Sequence, residues 1–196
     1  MSLFRPTKKD SSQLSDEEVV ESILAGQQHL LELLYDRYSA RVFHKCISIV
    51  KDREMSKDLT HDILVKVFTN LVKFKGKSAF SLWVHSITYN YCIDYLKKKN
   101  KLRFNDLDAT AYENIPDDQL DIEDKLLTEL KLSQLNSLFD RLDPDEKIIL
   151  MMRYQDDMPV KDIAATLEIS ESAAKMRLKR VRDQLAILLE KMPNDE

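Results

Sequence analysis

Glycine occurs only twice in the 196 residues, as Gly26 and Gly76. A chain this poor in freely turning residues has no glycine-rich loop to cradle a nucleotide's phosphates, and two glycines are too few for most nucleotide-binding loops. Cysteine is equally scarce. Cys46 and Cys92 sit inside helical patterns without CxxC or CxxH spacing, so they read as buried thiols in a reducing compartment, not as a disulfide framework. No apolar run approaches the roughly 18 residues needed to cross a bilayer, and no apolar signal core follows Met1; a cytoplasmic location is expected. GxSxG, HExxH and paired-carboxylate patterns are missing, and His44 and His61 lack partners at metal-ligand spacing. Neither a metal nor an organic cofactor is expected, and no catalytic residue emerges.

What remains is helix-forming material. The apolar fraction is 43%, proline is limited to 5 residues, and leucine, lysine and acids abound, which points to an all-α protein large enough for two small domains. Charge is unevenly spread under a net −4. Residues 1–100 carry 16 bases against 12 acids, residues 101–140 carry 4 against 10, and residues 141–196 carry 10 against 12. Phe104 to Asp124 holds eight acids and no base, Lys73 to Arg103 eight bases and one acid, and Lys175 to Arg182 five bases and no acid. Two basic patches flank an acidic connector.

After a polar arm over 1–14, SDEE starts a helix with Ser15 as N-cap and Glu18 as its capping-box partner, and Gly26 suits a left-handed end. A second helix is expected from Gln28 to Val50 on Leu30, Leu34, Tyr38, Val42 and Cys46. A third runs from Ser56 to Lys73 on Leu59, Ile63, Val67 and Leu71. Beyond Gly76 a fourth starts near Ser78 and carries Phe80, Trp83, Val84, Ile87 and Tyr91. These form one helical domain over 15–103. The acidic stretch 104–124, with Pro116, reads as a linker. A second domain over 125–192 opens with a helix on Leu126, Leu130, Leu135 and Leu138. It continues with a helix from Asp143 and Pro144 to Tyr154, a short one from Pro159 to Leu167, and a last one from Glu171 to about Lys191 capped by Ser170.

The final pair, joined by a three-residue turn, has the spacing of a helix-turn-helix. Stepping about 100° per residue turns Ala174, Leu178, Val181, Leu185 and Leu188 inward. Ser172, Lys175, Met176 and Lys179 then face outward, with Arg180 at the edge, a surface suited to a DNA groove. The earlier segment FKGKSAFSLWVHSITYN clusters Lys73, Lys75 and Lys77 around Gly76 amid aromatics. Cations beside flat rings suit unpaired nucleotides. Phe80, Trp83 and Ile87 have core spacing, whereas Phe74 and Asn90 fit that stripe least and are the better contact candidates.

Four segments in order carry a resemblance to the extracytoplasmic-function sigma factors of bacterial RNA polymerase, over residues from about 15 to 190. LSDEEVVESILAGQQHLLELLYDRYSARVF looks like the family's opening helices, and DLTHDILVKVF like its DLTQEVF segment. FKGKSAFSLWVHSITYNYCIDYLKKKNK follows its F-x-G-x-x-x-F-x-x-W-L-x-x-I-x-x-N-x-x-x-D-x-x-R pattern, and LDPDEKIILMMRYQDDMPVKDIAATLEISESAAKMRLKRVRDQL fits its helix-turn-helix. The resemblance implies that the first domain is sigma region 2 and the second sigma region 4. Phe74, Lys75, Gly76, Lys77 and Ser78 would belong to the loop reading the −10 element, and Asn90 would help hold a flipped-out base. Asp58, His61 and Asp62 would lie on the helix that binds core polymerase. Ser172, Ala173, Lys175, Met176, Lys179 and Arg180 would contact the −35 element. The implied partners are core RNA polymerase, promoter DNA and an anti-sigma factor. The chain departs from the family at His61, Leu64, Val84 and Glu168, where glutamine, phenylalanine, leucine and glycine are usual. A free-standing helix-turn-helix regulator, or a protein that binds polymerase without touching DNA, are the other readings of the same features.

Overall fold

The computed structural model describes residues 13–99 and 142–190. The acidic stretch 104–124 and the helix expected around Leu126–Leu138 lie outside them, as does most of the N-terminal arm. Every regular element among the described residues is helical. The chain divides into two compact units, Met1–Cys92 and Ile93–Glu196.

In the first unit, α1 spans Asp16–Leu24. Ser15 Oγ accepts from the Glu18 N–H at 3.2 Å and Glu18 Oε2 from the Ser15 N–H at 2.8 Å, the reciprocal box that SDEE encodes. Gly26 follows with φ +106°, as expected of a glycine past a helix end. A 3₁₀ turn, Gln28–Leu30, leads into α2, Leu31–Val50. Lys51 is left-handed at φ 59°, and Asp52 at once caps α3, its Oδ1 accepting from the Met55 N–H at 3.1 Å. For this reason α3 covers Arg53–Thr69 and starts three residues before the expected Ser56. KDRE thus holds a break of two residues, Lys51 and Asp52, and the second of them is also the cap of the next helix. A second 3₁₀ turn, Leu71–Lys73, takes the place of the expected last turn of α3, and α4 spans Phe80–Lys98, running past the boundary at Cys92.

Buried residues repeat at helical spacing: Leu34, Tyr38, Val42 and Cys46 on α2, and Leu59, Ile63 and Val67 on α3. These two helices pack extensively on each other. Burying one such side chain, Ile63 for example, contributes roughly 1.5–3 kcal/mol. On α4 the core is made by Phe80, Val84, Thr88, Tyr89 and Cys92. Trp83, Ile87 and Tyr91, expected to share that stripe, are only half-buried. The helix is apolar around most of its circumference, so spacing alone does not choose the inward side. Cys46 and Cys92 are both free and buried, with their sulfurs 3.8 Å apart. The hydrogen bond to Cys46, together with burial, pushes the Cys92 thiol up, so it stays protonated. Beside them the ammonium of buried Lys45 lies 3.5 Å from the Tyr89 hydroxyl and 5.4 Å from its ring centroid.

In the second unit, α5 spans Pro144–Leu150, with Asp143 as N-cap and its N–H donating to Glu146 Oε2 at 3.0 Å. The helix expected to reach Tyr154 widens at Met151–Gln155 into a π turn, closed by Asp156 N–H donating to the Met151 carbonyl at 3.2 Å. Helix α6 covers Val160–Leu167 and ends on Glu168, left-handed at φ 57°. Helix α7 covers Glu171–Glu190, and Ser170 Oγ accepts from the Ala173 N–H at 3.2 Å. It packs on both α5 and α6, burying Ala174, Leu178, Val181 and Leu185 as expected, while Leu188 is half-buried.

Candidate nucleic-acid interface

The segment between the second 3₁₀ turn and α4 is a short basic loop. Gly76 turns it at φ +66°, and a Cβ there would meet nothing within 4 Å. Conformation, not space, calls for glycine. Lys73, Lys75 and Lys77 are exposed, and none forms an ion pair with a described residue. Lys75 Nζ donates to the Val72 carbonyl at 3.2 Å. The result is a concentrated positive charge, unpaired among the described residues, on a tightly turned backbone.

Phe74 is half-buried and anchored, which the spacing did not indicate. Its ring meets Phe80 edge-on at 5.2 Å and Trp83 at 5.7 Å, and Phe80 meets Tyr38 edge-on at 5.4 Å. Trp83, placed in the core by spacing, instead shares the open side of α4 with Ile87 and Asn90, since steps of four and seven residues return to nearly the same side. Asn90 is exposed, as expected of a contact residue. Trp83 is therefore a residue of this surface that sequence reasoning missed. Val72, 63% exposed beside the lysines, is another.

The loop is held from α1. Glu17 Oε1 accepts from the Phe80 N–H at 2.8 Å. Next to it Asp16 accepts from Arg37 Nη1 at 2.6 Å and from the Tyr38 hydroxyl. Burial, and secondarily the bond to Asp16, push the Tyr38 phenol well above its ordinary range and keep it a donor.

On α3 the side opposite the core stripe presents Asp58, His61, Asp62 and Val65, all exposed, at spacings of three, four and seven residues. Val65 is 47% exposed, an apolar residue amid polar and acidic ones. The sequence singled out the three polar members and missed the valine.

On α7, Ser172, Lys179 and Arg180 are exposed, and Lys175 is half-buried. Ser172 Oγ lies 3.0 Å from Ser170 Oγ, which extends the cap. Two of the expected −35 contacts are covered: Met176, which the helix geometry turned outward, and Ala173, which only the resemblance implied. Ala173 is 7% and Met176 9% exposed. Ala173 lies in the capped first turn beside the inward Ala174, and the flexible thioether of Met176 is covered, as such side chains favour. The exposed surface of the helix is thus narrower and more polar than expected. Among the described residues no group of three potential ligands could hold a metal ion, and no helix is long and apolar enough to cross a membrane.

Comparison with known proteins assigns both units. The model of sigma-70 region 2 matches residues 34–102, and that of sigma-70 region 4 matches residues 132–185. The sigma factor SigX of Bacillus subtilis is 23% identical over 175 residues, covering 86% of this chain and 90% of that protein. The sigma-E factor of Escherichia coli is 26% identical over 184 residues, covering 89% and 94%. Among solved structures, CnrH in complex with the cytosolic domain of CnrY is similar in fold, with a TM-score of 0.56, 19% identity and coverage of 92% and 98%. The sigma factor RpoE bound to the anti-sigma factor NepR from Bartonella quintana gives a TM-score of 0.54, 17% identity and coverage of 82% and 96%. Regions 2 and 4 in this order define the sigma-70 class of transcription initiation factors. Within it the chain belongs to the extracytoplasmic-function sigma factors, and it directs promoter-specific transcription. A region 2 match over the first unit favours this over a free-standing helix-turn-helix regulator.

Proposed function

We propose that the two basic surfaces divide promoter recognition between them. The Phe74–Phe80 loop with Asn90 takes unstacked bases of the −10 element, its lysines meeting the phosphates. Ser172, Lys175, Lys179 and Arg180 on α7 face the −35 element in the major groove. Asp58, His61 and Asp62, with Val65 between them, dock on core polymerase. Region 2 is assigned to 15–103 and region 4 to 125–192, with 104–124 as the acidic connector. The protein works in the cytoplasm and catalyses nothing itself: it favours melted DNA by binding it better than duplex. Ala173 and Met176 support the recognition helix from beneath and do not read bases. An anti-sigma partner is proposed because two of the similar structures are complexes whose sigma subunit is held by another protein.

The observation that carries this reading is the loop itself: three lysines that form no ion pair with a described residue, turned by a left-handed glycine and backed by a ring cluster that ends in Trp83 on the same side of α4 as Asn90. It is tested by permanganate footprinting of a promoter with holoenzyme carrying Phe74→Ala or Asn90→Ala. Thymine reactivity across the −10 region should fall while recruitment to the duplex persists. Full reactivity in both variants would refute base capture by this loop.

A further inference from the structure

We propose that Asp16 and Glu17 of α1 form a clasp that sets the position of the −10 loop, so that base capture depends on an N-terminal helix lying outside the loop. The inference rests on the assignment of Phe74–Phe80 to the −10 element. The first turn of α4 lacks a local partner for its amides. Ala79 accepts the first helical bond, from the Trp83 N–H at 3.3 Å, but its methyl cannot cap. Glu17, 63 residues away, supplies the missing acceptor at 2.8 Å. A carboxylate there gains from the helix dipole and from a charge-assisted bond.

Asp16 reaches the same residue by another route. It accepts from the Tyr38 hydroxyl, and the Tyr38 ring stands edge-on to Phe80 at 5.4 Å and 89°. The two acids therefore hold Phe80 by backbone and by ring, and Phe80 in turn holds Phe74 at 5.2 Å. The other end of the loop is gripped as well. Helix α1 packs against the 3₁₀ turn Leu71–Lys73, where Leu71 is buried and its carbonyl accepts from the Phe74 N–H at 3.0 Å. One short helix thus touches both ends of the basic loop. Between those ends the backbone is free to hold its lysines and its glycine in a single arrangement.

Glu17 is a positioning residue, and its test separates positioning from folding. The probe is a labelled single-stranded DNA carrying the non-template strand of a promoter on which the holoenzyme initiates. Its affinity is measured by anisotropy for holoenzyme containing the full chain, beside the affinity of each chain for core polymerase. Glu17→Ala should weaken capture about tenfold, the loss expected of a charge-assisted bond, with core affinity unchanged. Glu17→Gln keeps an acceptor oxygen and should restore capture to within about threefold. Glu17→Asp, too short to reach Phe80 but able to start α1, should fall between them, and it carries the test should the alanine variant not fold. Amide exchange at Phe80 should accelerate in Glu17→Ala and not in Glu17→Gln. Parallel loss of capture and core affinity would mark a merely structural role and overturn the clasp. Undiminished capture in Glu17→Ala and Glu17→Asp, with capture lost in Phe74→Ala, would overturn the clasp and leave the loop reading intact. Undiminished capture in Phe74→Ala would overturn the loop reading, and the clasp with it.

Discussion

Replacing Lys73 and Lys77 together by alanine removes two exposed ammonium groups that flank Gly76 and form no ion pair with a described residue. If both meet phosphates of an unpaired strand, the loss is legible in salt dependence before it is legible in affinity. Each phosphate neutralised on single-stranded DNA adds about 0.7 to the magnitude of the slope of log K against log salt, so the double variant should lose about 1.4. Across a fourfold rise in salt, from about 50 to about 200 mM, the advantage of the native protein over the variant should shrink about sevenfold. Lys75 is the internal comparison. Its ammonium donates to the Val72 carbonyl, so Lys75→Ala should change the slope less than either neighbour does. The assay is anisotropy of the labelled non-template strand with holoenzyme over that salt range. Weakened binding at an unchanged slope would refute the phosphate contacts, since lost packing or altered loop shape carries no counterion term.

On the recognition helix, Lys179→Ala should weaken binding of −35 duplex by the holoenzyme and reduce its salt slope by about 0.9, one phosphate's share. Glu168 occupies the left-handed end of α6, where a side chain costs about 1–2 kcal/mol and glycine returns part of that as lost chain entropy. Glu168→Gly should therefore stabilise the second unit by about 0.5–1 kcal/mol, seen as a rise of a few degrees in Tm. Burial, more than any other cause, pushes the Glu146 carboxyl above its ordinary range, so the folded unit holds this proton more firmly than the unfolded chain. Stability from this group is present on the acid side and lost as pH rises through the folded value. Glu146→Gln keeps an acceptor for the Asp143 N–H and removes that loss; its stability relative to the native chain should increase from acid to neutral pH in denaturant titrations.

Features whose cause lies within a few residues were legible in the sequence. The Ser15–Glu18 box, Asp143 with Pro144, the Ser170 cap and the left-handed glycines each follow from local chemistry. So did the α2 and α3 stripes, because each helix has one apolar side. Legibility failed where two answers had equal local merit. On α4, apolar side chains surround the helix, and packing chose Val84, Thr88 and Cys92 over Trp83 and Ile87. KDRE holds both an end and a start, and Asp52 serves the start. Phe74 lies outside any helix, so no periodicity placed it against Phe80 and Trp83. The bond from the Phe80 N–H to Glu17 joins positions 63 residues apart, and nothing near either residue announces it. Met176 sits at an angle that reads as outward, yet it is covered.

This chain gives core polymerase a promoter choice that the enzyme lacks alone. In vitro transcription of the native host's genomic DNA, with core polymerase in the presence and absence of the full chain, tests it most directly. Discrete new 5′ ends should appear only with the chain and be lost with Phe74→Ala. Transcripts unchanged by adding the chain, or initiation sites unaffected by Phe74→Ala, would contradict it.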